Sequence, residues 1–266
     1  MIGSGLTMNR IRTVSMIAVA ALCLQSYEAL AWDTPYRPGD GKTYMSPTAA
    51  TMPKGAVSFS DHEVGLVQVG AGLADGLELS VMATIPVMQE FVFPSIKYKF
   101  LDTGRVRMAV IGLAGAGAVF TENGGGFLAG AGLMIDAGMD SKGKHILSLG
   151  VIPGYMLVFY SKNDNMSYTN SMIVASNLAF TFTVSKMVKI MIEAQYGGLA
   201  ASDSYTLTQC LTINYGLKLQ GDAFEIDFGF SRPVLWYTTS NKISQEDWLK
   251  YVPMGIPWVS FTYLWN

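Results

Sequence analysis

Charged residues are scarce in this 266-residue chain: 18 Lys and Arg with 20 Asp and Glu make up only 14% of it, against 50% hydrophobic residues and a mean hydropathy of +0.29. That is too apolar for an ordinary soluble domain. No basic tract or cluster of arginines is present and the formal net charge is −2, so the electrostatic footprint of a nucleic-acid binder is missing. Cysteine occurs only at Cys23 and Cys210, and histidine only at His62 and His145, which leaves neither a disulfide framework nor a ligand set for a zinc site. Beyond residue 31 no apolar run reaches the ~18 residues of a membrane-spanning helix, which excludes a bundle of such helices. The hydrophobicity must be spread in another way.

The N-terminus carries an export pattern. Arg10 and Arg12 precede an apolar run from Val14 to Leu24, and Ala29-Leu30-Ala31 supplies the small-x-small sequence that a signal peptidase reads. Cleavage is expected after Ala31, whether translation starts at Met1 or at Met8. Leu22 stands where a lipoprotein signal needs a small residue before Cys23, so lipidation is not expected. Removing residues 1–31 takes away Arg10, Arg12 and Glu28 and leaves 235 residues with 16 positive and 19 negative charges. Cys210, the remaining thiol, lies among Thr208, Thr212 and Asn214 and reads as a small interior-facing residue.

The rest of the chain alternates. In Ser171 to Ser185, the residues Met172, Val174, Leu178, Phe180, Phe182 and Val184 share one face of an extended strand, while Asn177, Thr181 and Thr183 take the other. Between Tyr205 and Gln220, Leu211, Ile213, Tyr215, Leu217 and Leu219 oppose Cys210, Thr212, Asn214, Gly216 and Lys218. Phe224, Ile226, Phe228 and Phe230 likewise face away from Glu225, Asp227, Gly229 and Ser231; a helix would scatter those carboxylates over the aromatic face.

Short and long links also alternate. The tight ones are Leu73 to Gly76, Asp102 to Gly104, Ser141 to Gly143, Val184 to Met187 and Gln220 to Asp222. Looser links fall near 87–90, 122–126, 161–170, 198–204 and 239–255. The pattern predicts an all-β fold, a single antiparallel up-and-down transmembrane barrel of about 12 strands, with 10 as the alternative if residues 55–72 form one bent strand. The expected strands are 55–60, 63–72, 76–86, 91–101, 105–121, 127–139, 144–160, 171–184, 188–197, 205–218, 223–238 and 256–265. Residues 32–54, rich in Pro, Gly and Thr, read as an irregular lead-in tucked into the lumen of a barrel over 55–266. A soluble sandwich or lipocalin-like barrel is the competitor, but its solvent face would carry more charge than the Ser, Thr, Gly and Asn found here.

The last strand, Trp258 to Asn266, resembles the terminal assembly signal of Gram-negative outer-membrane β-barrels, with Phe261, Tyr263 and Trp265 facing lipid and Asn266 standing where that family usually has a final aromatic. The stretches Gly72 to Ser80 and Pro94 to Phe100 resemble the transporter-like barrels grouped with phenol meta-degradation pathway proteins. These likenesses imply the bacterial outer membrane as location, with its lipid and the barrel assembly machinery as partners.

Placing the polar face inward puts Glu78, Lys97, Lys99, Arg107, Asp136, Lys189, Glu193, Lys218, Glu225 and Asp227 in the lumen, five of each sign. A single-sign ring would argue for ion selection, whereas a balanced set predicts cross-lumen ion pairs or a channel of weak selectivity. The expected function is a narrow channel or transporter-like barrel for small solutes, the alternative a closed structural or surface-interaction barrel without transport. A membrane-embedded lipid hydrolase ranks last and enzymatic activity is not expected. His62, expected in an outer loop after Ser60 and Asp61, and His145, beside a tight turn, fall at opposite faces with no recognisable catalytic motif. No cofactor or metal is expected. The glycines from Gly112 to Gly132 lack the Lys-Ser/Thr ending and following helix of a phosphate loop and read as small residues of tightly packed strands.

Overall fold

The computed structural model describes residues 38, 40–43, 46–62, 66–84, 89–103, 105–119, 124–139, 145–162, 165–201, 207–238 and 254–265. The expected signal segment lies outside them. Twelve strands follow in chain order: β1 Val57–His62, β2 Leu66–Ala74, β3 Leu77–Thr84, β4 Gln89–Asp102, β5 Val106–Val119, β6 Gly124–Gly138, β7 His145–Lys162, β8 Asn165–Thr183, β9 Val188–Ala201, β10 Leu207–Gln220, β11 Phe224–Thr238 and β12 Ile256–Trp265. Each pairs antiparallel with its sequence neighbour, and β1 pairs with β12 to close the barrel, Val57 opposite Trp265 and His62 opposite Ser260. Closure leaves no free sheet edge, a condition for a sheet to sit in lipid.

Residues 55–72 form two strands rather than one bent one, so the ten-strand alternative is not realised. The expected link at 161–170 is the other departure. Lys162 pairs with Asn165 and Met156 with Ser171, so β7 and β8 run on as a long hairpin. The Asn, Ser and Tyr residues there keep the two-residue alternation and satisfy each other's backbone groups across the ladder, which outweighs their polar composition. The expected links near 122–126 and 198–204 shrink likewise, because β6 starts at Gly124 and β9 ends at Ala201.

Burial runs opposite to that of a soluble protein. Phe127, Leu178, Ile192, Val259 and Leu217 stand on the outer surface, with Phe127 56% and Ile192 54% exposed, while Glu193, Asn214, Glu225, Asp227 and Thr262 are wholly buried. An outside of this kind faces hydrocarbon and an inside of this kind faces polar partners, which excludes the soluble sandwich. Tyr98, Phe100, Phe182, Phe224 and Trp265 ring the outer surface at the end bearing the tight turns and both barrel termini, as an aromatic girdle at a membrane interface does. Phe261 and Tyr263 share the outward face of β12 with Trp265, whose ring meets that of Tyr263 edge-on at 4.5 Å.

Candidate functional site

Inward-facing residues of neighbouring strands meet at fixed levels because the ladder sets their register. Lys97 of β4 therefore sits opposite Glu78 of β3, and Lys218 of β10 opposite Asp227 of β11, with Glu225 two residues on. The contacts follow the ladder. Lys97 Nζ is 3.3 Å from Glu78 Oε1, and Lys218 Nζ is 2.9 Å from Glu225 Oε2 and 3.9 Å from Asp227 Oδ1. Nine of the ten residues expected in the lumen lie buried inside the barrel: Glu78, Lys97, Arg107, Asp136, Lys189, Glu193, Lys218, Glu225 and Asp227. Lys99 differs. It stands half-buried beside the β4–β5 turn, where it and Arg107 both reach Asp102 Oδ2, at 2.8 and 3.1 Å.

The remaining partners come from the lead-in, whose described residues from Pro38 to Met52 are buried inside the barrel, while Pro53, Lys54 and Gly55 stand exposed at its mouth before β1. Asp40 Oδ1 takes Lys189 Nζ and Gln220 Nε2, both at 2.6 Å, while Gln220 also donates to the Pro38 carbonyl at 2.7 Å. Lys42 Nζ lies 2.7 Å from Asp227 Oδ2 and 3.0 Å from Glu225 Oε1, and donates to Ser260 Oγ at 2.9 Å and Thr262 Oγ1 at 3.2 Å. Thr43 donates to Glu193 Oε1 at 3.0 Å, and Gln195 donates to Ser46 Oγ at 2.7 Å. The strap backbone adds to the attachment: Ala49 N donates to Asp136 Oδ2 at 3.1 Å and Met52 N to Glu78 Oε2 at 2.9 Å, and the Lys42 carbonyl accepts from Lys218 Nζ at 3.0 Å. One strap of chain thus ties β3, β6, β9, β10, β11 and β12 together. Opposite walls are bridged through it, where the balanced charges had suggested direct pairs across the lumen.

Burial on its own would push the Lys42 ammonium below the ordinary lysine range, but Asp227 and Glu225 beside it outweigh that and hold it above. Where the strap leaves the wall, small residues make room. Gly72 of β2 passes directly under the Pro53 carbonyl and Gly70 under the Met52 side chain. Sequence reasoning singled out neither the strap's charged residues nor these glycines. A signal existed, since Glu225 and Asp227 alternate on one face with Lys218 as their only cross-strand cation, which leaves one negative charge over.

Toward the loose-link end the interior turns apolar. Phe93, Leu113, Leu128, Met156, Val158, Ile173, Leu199 and Cys210 belong to one buried cluster, which Ala49 of the strap joins from below. Cys210 Sγ is 3.5 Å from Thr212 Oγ1 within this wall.

His62 departs from its expected place in an outer loop. It is the last residue of β1 and its ring is buried in the lumen, 6.3 Å from that of Trp258, because the period of two that turns Ser58 and Ser60 inward carries one residue further. His145 begins β7 at the other end of the barrel and stacks on Phe182 at 4.3 Å. The two histidines share no site. Among the described residues no group of three or more His, Cys, Asp or Glu is placed to hold a metal.

No protein-family model and no curated protein matches the sequence, so the resemblance to barrels grouped with phenol meta-degradation pathway proteins finds no support. Among solved structures the chain is similar to the NanC porin at 12% identity and a TM-score of 0.39, over 79% of this chain and 99% of that one. It is also similar to OmpT, an outer membrane protein of Vibrio cholerae, at 9% identity and a TM-score of 0.34, over 79% and 96% of the two chains. A third likeness is to CdiB from Acinetobacter baumannii, at 10% identity and a TM-score of 0.36, over 79% of this chain and 59% of that one. All three are remote in sequence and geometry. The closed ladder and the apolar exterior establish the chain as a transmembrane β-barrel of twelve strands.

Proposed function

We propose that the chain, exported by its first 31 residues, spans the bacterial outer membrane as a narrow channel for small solutes whose lumen is closed by its own N-terminal strap. One observation carries this reading: the described residues of the strap from Pro38 to Met52 contribute no strand to the barrel. Its isolated bridge, Lys42 to Pro47, is internal, and the barrel closes β1 on β12 without it. It is attached by side chains and a few amides, so it can leave while every rung of the ladder stays made. A permanent filling would be expected to pack chiefly through apolar contacts or to pair as a strand; this one packs only Ala49 and Met52 into apolar clusters among its described residues and is otherwise attached by charges and hydrogen bonds that water can replace.

The test is single-channel conductance in planar bilayers for the mature chain and for a variant lacking residues 32–53, with heat-modifiable gel migration to confirm that both are folded. The expected result is a mature chain that is mostly closed and a variant that conducts in reproducible steps. A folded variant as silent as the mature chain refutes the channel and leaves the closed structural barrel.

A further inference from the structure

The environment of Lys42 Nζ is built largely by the wall. Glu225 Oε1, Asp227 Oδ2, Ser260 Oγ and Thr262 Oγ1 converge on it at 3.0, 2.7, 2.9 and 3.2 Å. All four residues belong to two adjacent strands and are at most 1% exposed. Their positions are fixed independently of the ammonium. Asp227 pairs with Ser260 and Glu225 with Thr262 across the β11–β12 ladder, Ser260 Oγ donates to Asp227 Oδ2 at 2.7 Å, and Thr262 Oγ1 bonds Ser60 Oγ at 2.9 Å. Since the Ser260 hydroxyl hydrogen is spent on Asp227, its lone pairs point at the ammonium.

The charges agree. With Lys218 the wall cluster holds two carboxylates and one ammonium, a net charge of −1 that a single monovalent cation neutralises. Four oxygens around one nitrogen suit the three N–H donors of a primary ammonium, which a quaternary ammonium lacks. Lys42 therefore behaves as a ligand supplied by the chain itself.

We propose that Glu225, Asp227, Ser260 and Thr262 form a wall site for the primary ammonium group of an amine-bearing solute, occupied in the closed barrel by Lys42, so that such a solute competes with the strap for the lumen. The inference rests on the strap being the closure of a channel, but the wall site is measurable without any conductance.

Replacing Lys42 by Ala in the full mature chain removes Cγ, Cδ, Cε and Nζ, the skeleton of n-propylammonium. The K42A protein is refolded with and without n-propylammonium, so that access does not limit binding, and the unfolding temperature of its heat-modifiable band is followed. A saturable rise is expected. Tetramethylammonium and n-propanol should give none, K42M should not respond because its uncharged side chain fills the space, and Asp227→Asn or Glu225→Gln in the K42A background should weaken the response about tenfold or more. Folded K42A that ignores n-propylammonium, or responds equally to n-propanol, overturns the site. In the unmodified chain n-propylammonium should raise the open fraction in bilayers. If rescue succeeds and the strap-deleted barrel stays silent, the channel reading falls and the ammonium site stands; if that barrel conducts and the unmodified chain ignores the amine, the competition is overturned.

Discussion

Gly72→Ala isolates the docking of the strap from lumen electrostatics, because it adds one methyl group and no charge. A Cβ at this position lands on the Pro53 carbonyl oxygen, with Pro53 C at 2.7 Å and Met52 O at 2.9 Å, all backbone atoms that cannot rotate away. Both chains are also pinned there, since Gly72 N donates to the Ala56 carbonyl at 2.9 Å and Gly55 N to the Gly72 carbonyl at 2.8 Å. Relief requires the strap to lift. Overpacking costs ~1–3 kcal/mol and the two hydrogen bonds ~0.5–1.5 kcal/mol each, about 2–6 kcal/mol in all. At ~1.4 kcal/mol per tenfold, the docked-to-released ratio falls by roughly one and a half to four decades. The assay is the open fraction in planar bilayers, together with the labelling rate of Cys210, which shares a buried cluster with Ala49 of the strap. Gly112→Ala is the matched control, because its new methyl meets only Ile96 Cγ2 at 3.6 Å, an ordinary contact. If Gly72→Ala and Gly112→Ala behave alike in both readouts, the strap does not pass where Gly72 makes room for it.

Lys97→Met leaves Glu78 buried without its 3.3 Å ion partner and is expected to destabilise the barrel by ~3–5 kcal/mol, with Glu78→Gln in the same chain recovering much of that; the urea midpoint of the heat-modifiable band measures both. Asp40→Lys and Lys189→Asp should each loosen the strap, and the double exchange should restore closure in bilayers, since the pair meets at 2.6 Å inside the lumen; a double variant more open than either single one counts against a direct pairing. Cys210 should resist maleimide in the folded protein and react once it is boiled, because it is buried in the wall; equal rates before and after boiling would contradict that burial. Phe261→Ser with Trp265→Ser strips two outward aromatics from the closing strand, each worth ~1.5–3 kcal/mol when buried in lipid, and should lower the heat-modifiable fraction in isolated membranes.

The strand content and the inward and outward faces were legible along the chain because both are local. A period of two carries its own face assignment, so Leu211, Ile213 and Leu217 could be set against Thr212, Asn214 and Lys218 without knowing any partner strand. Polar loops that continue a strand were not. The Asn, Ser and Tyr residues before Ser171 become strand only because β7 lies beside them and accepts their hydrogen bonds. His62 is a milder case, placed by alternation that its polar neighbours Ser60 and Asp61 obscured.

By itself the sequence determined an exterior for hydrocarbon and an interior of balanced charge, since composition and period-two alternation need no long-range information. It also marked residues 32–54 as a lead-in bound for the lumen. Only the tertiary structure decided what the interior charges meet. Asp40 and Lys189 are 149 residues apart, and Lys42 lies 218 residues from Ser260. Such pairs depend on strand register, on closure of β1 against β12 and on the space that Gly70 and Gly72 leave, none of which has a local signature. The wall's surplus negative charge was visible in the alternation of Glu225 and Asp227; that Lys42 neutralises it is a consequence of the closed barrel.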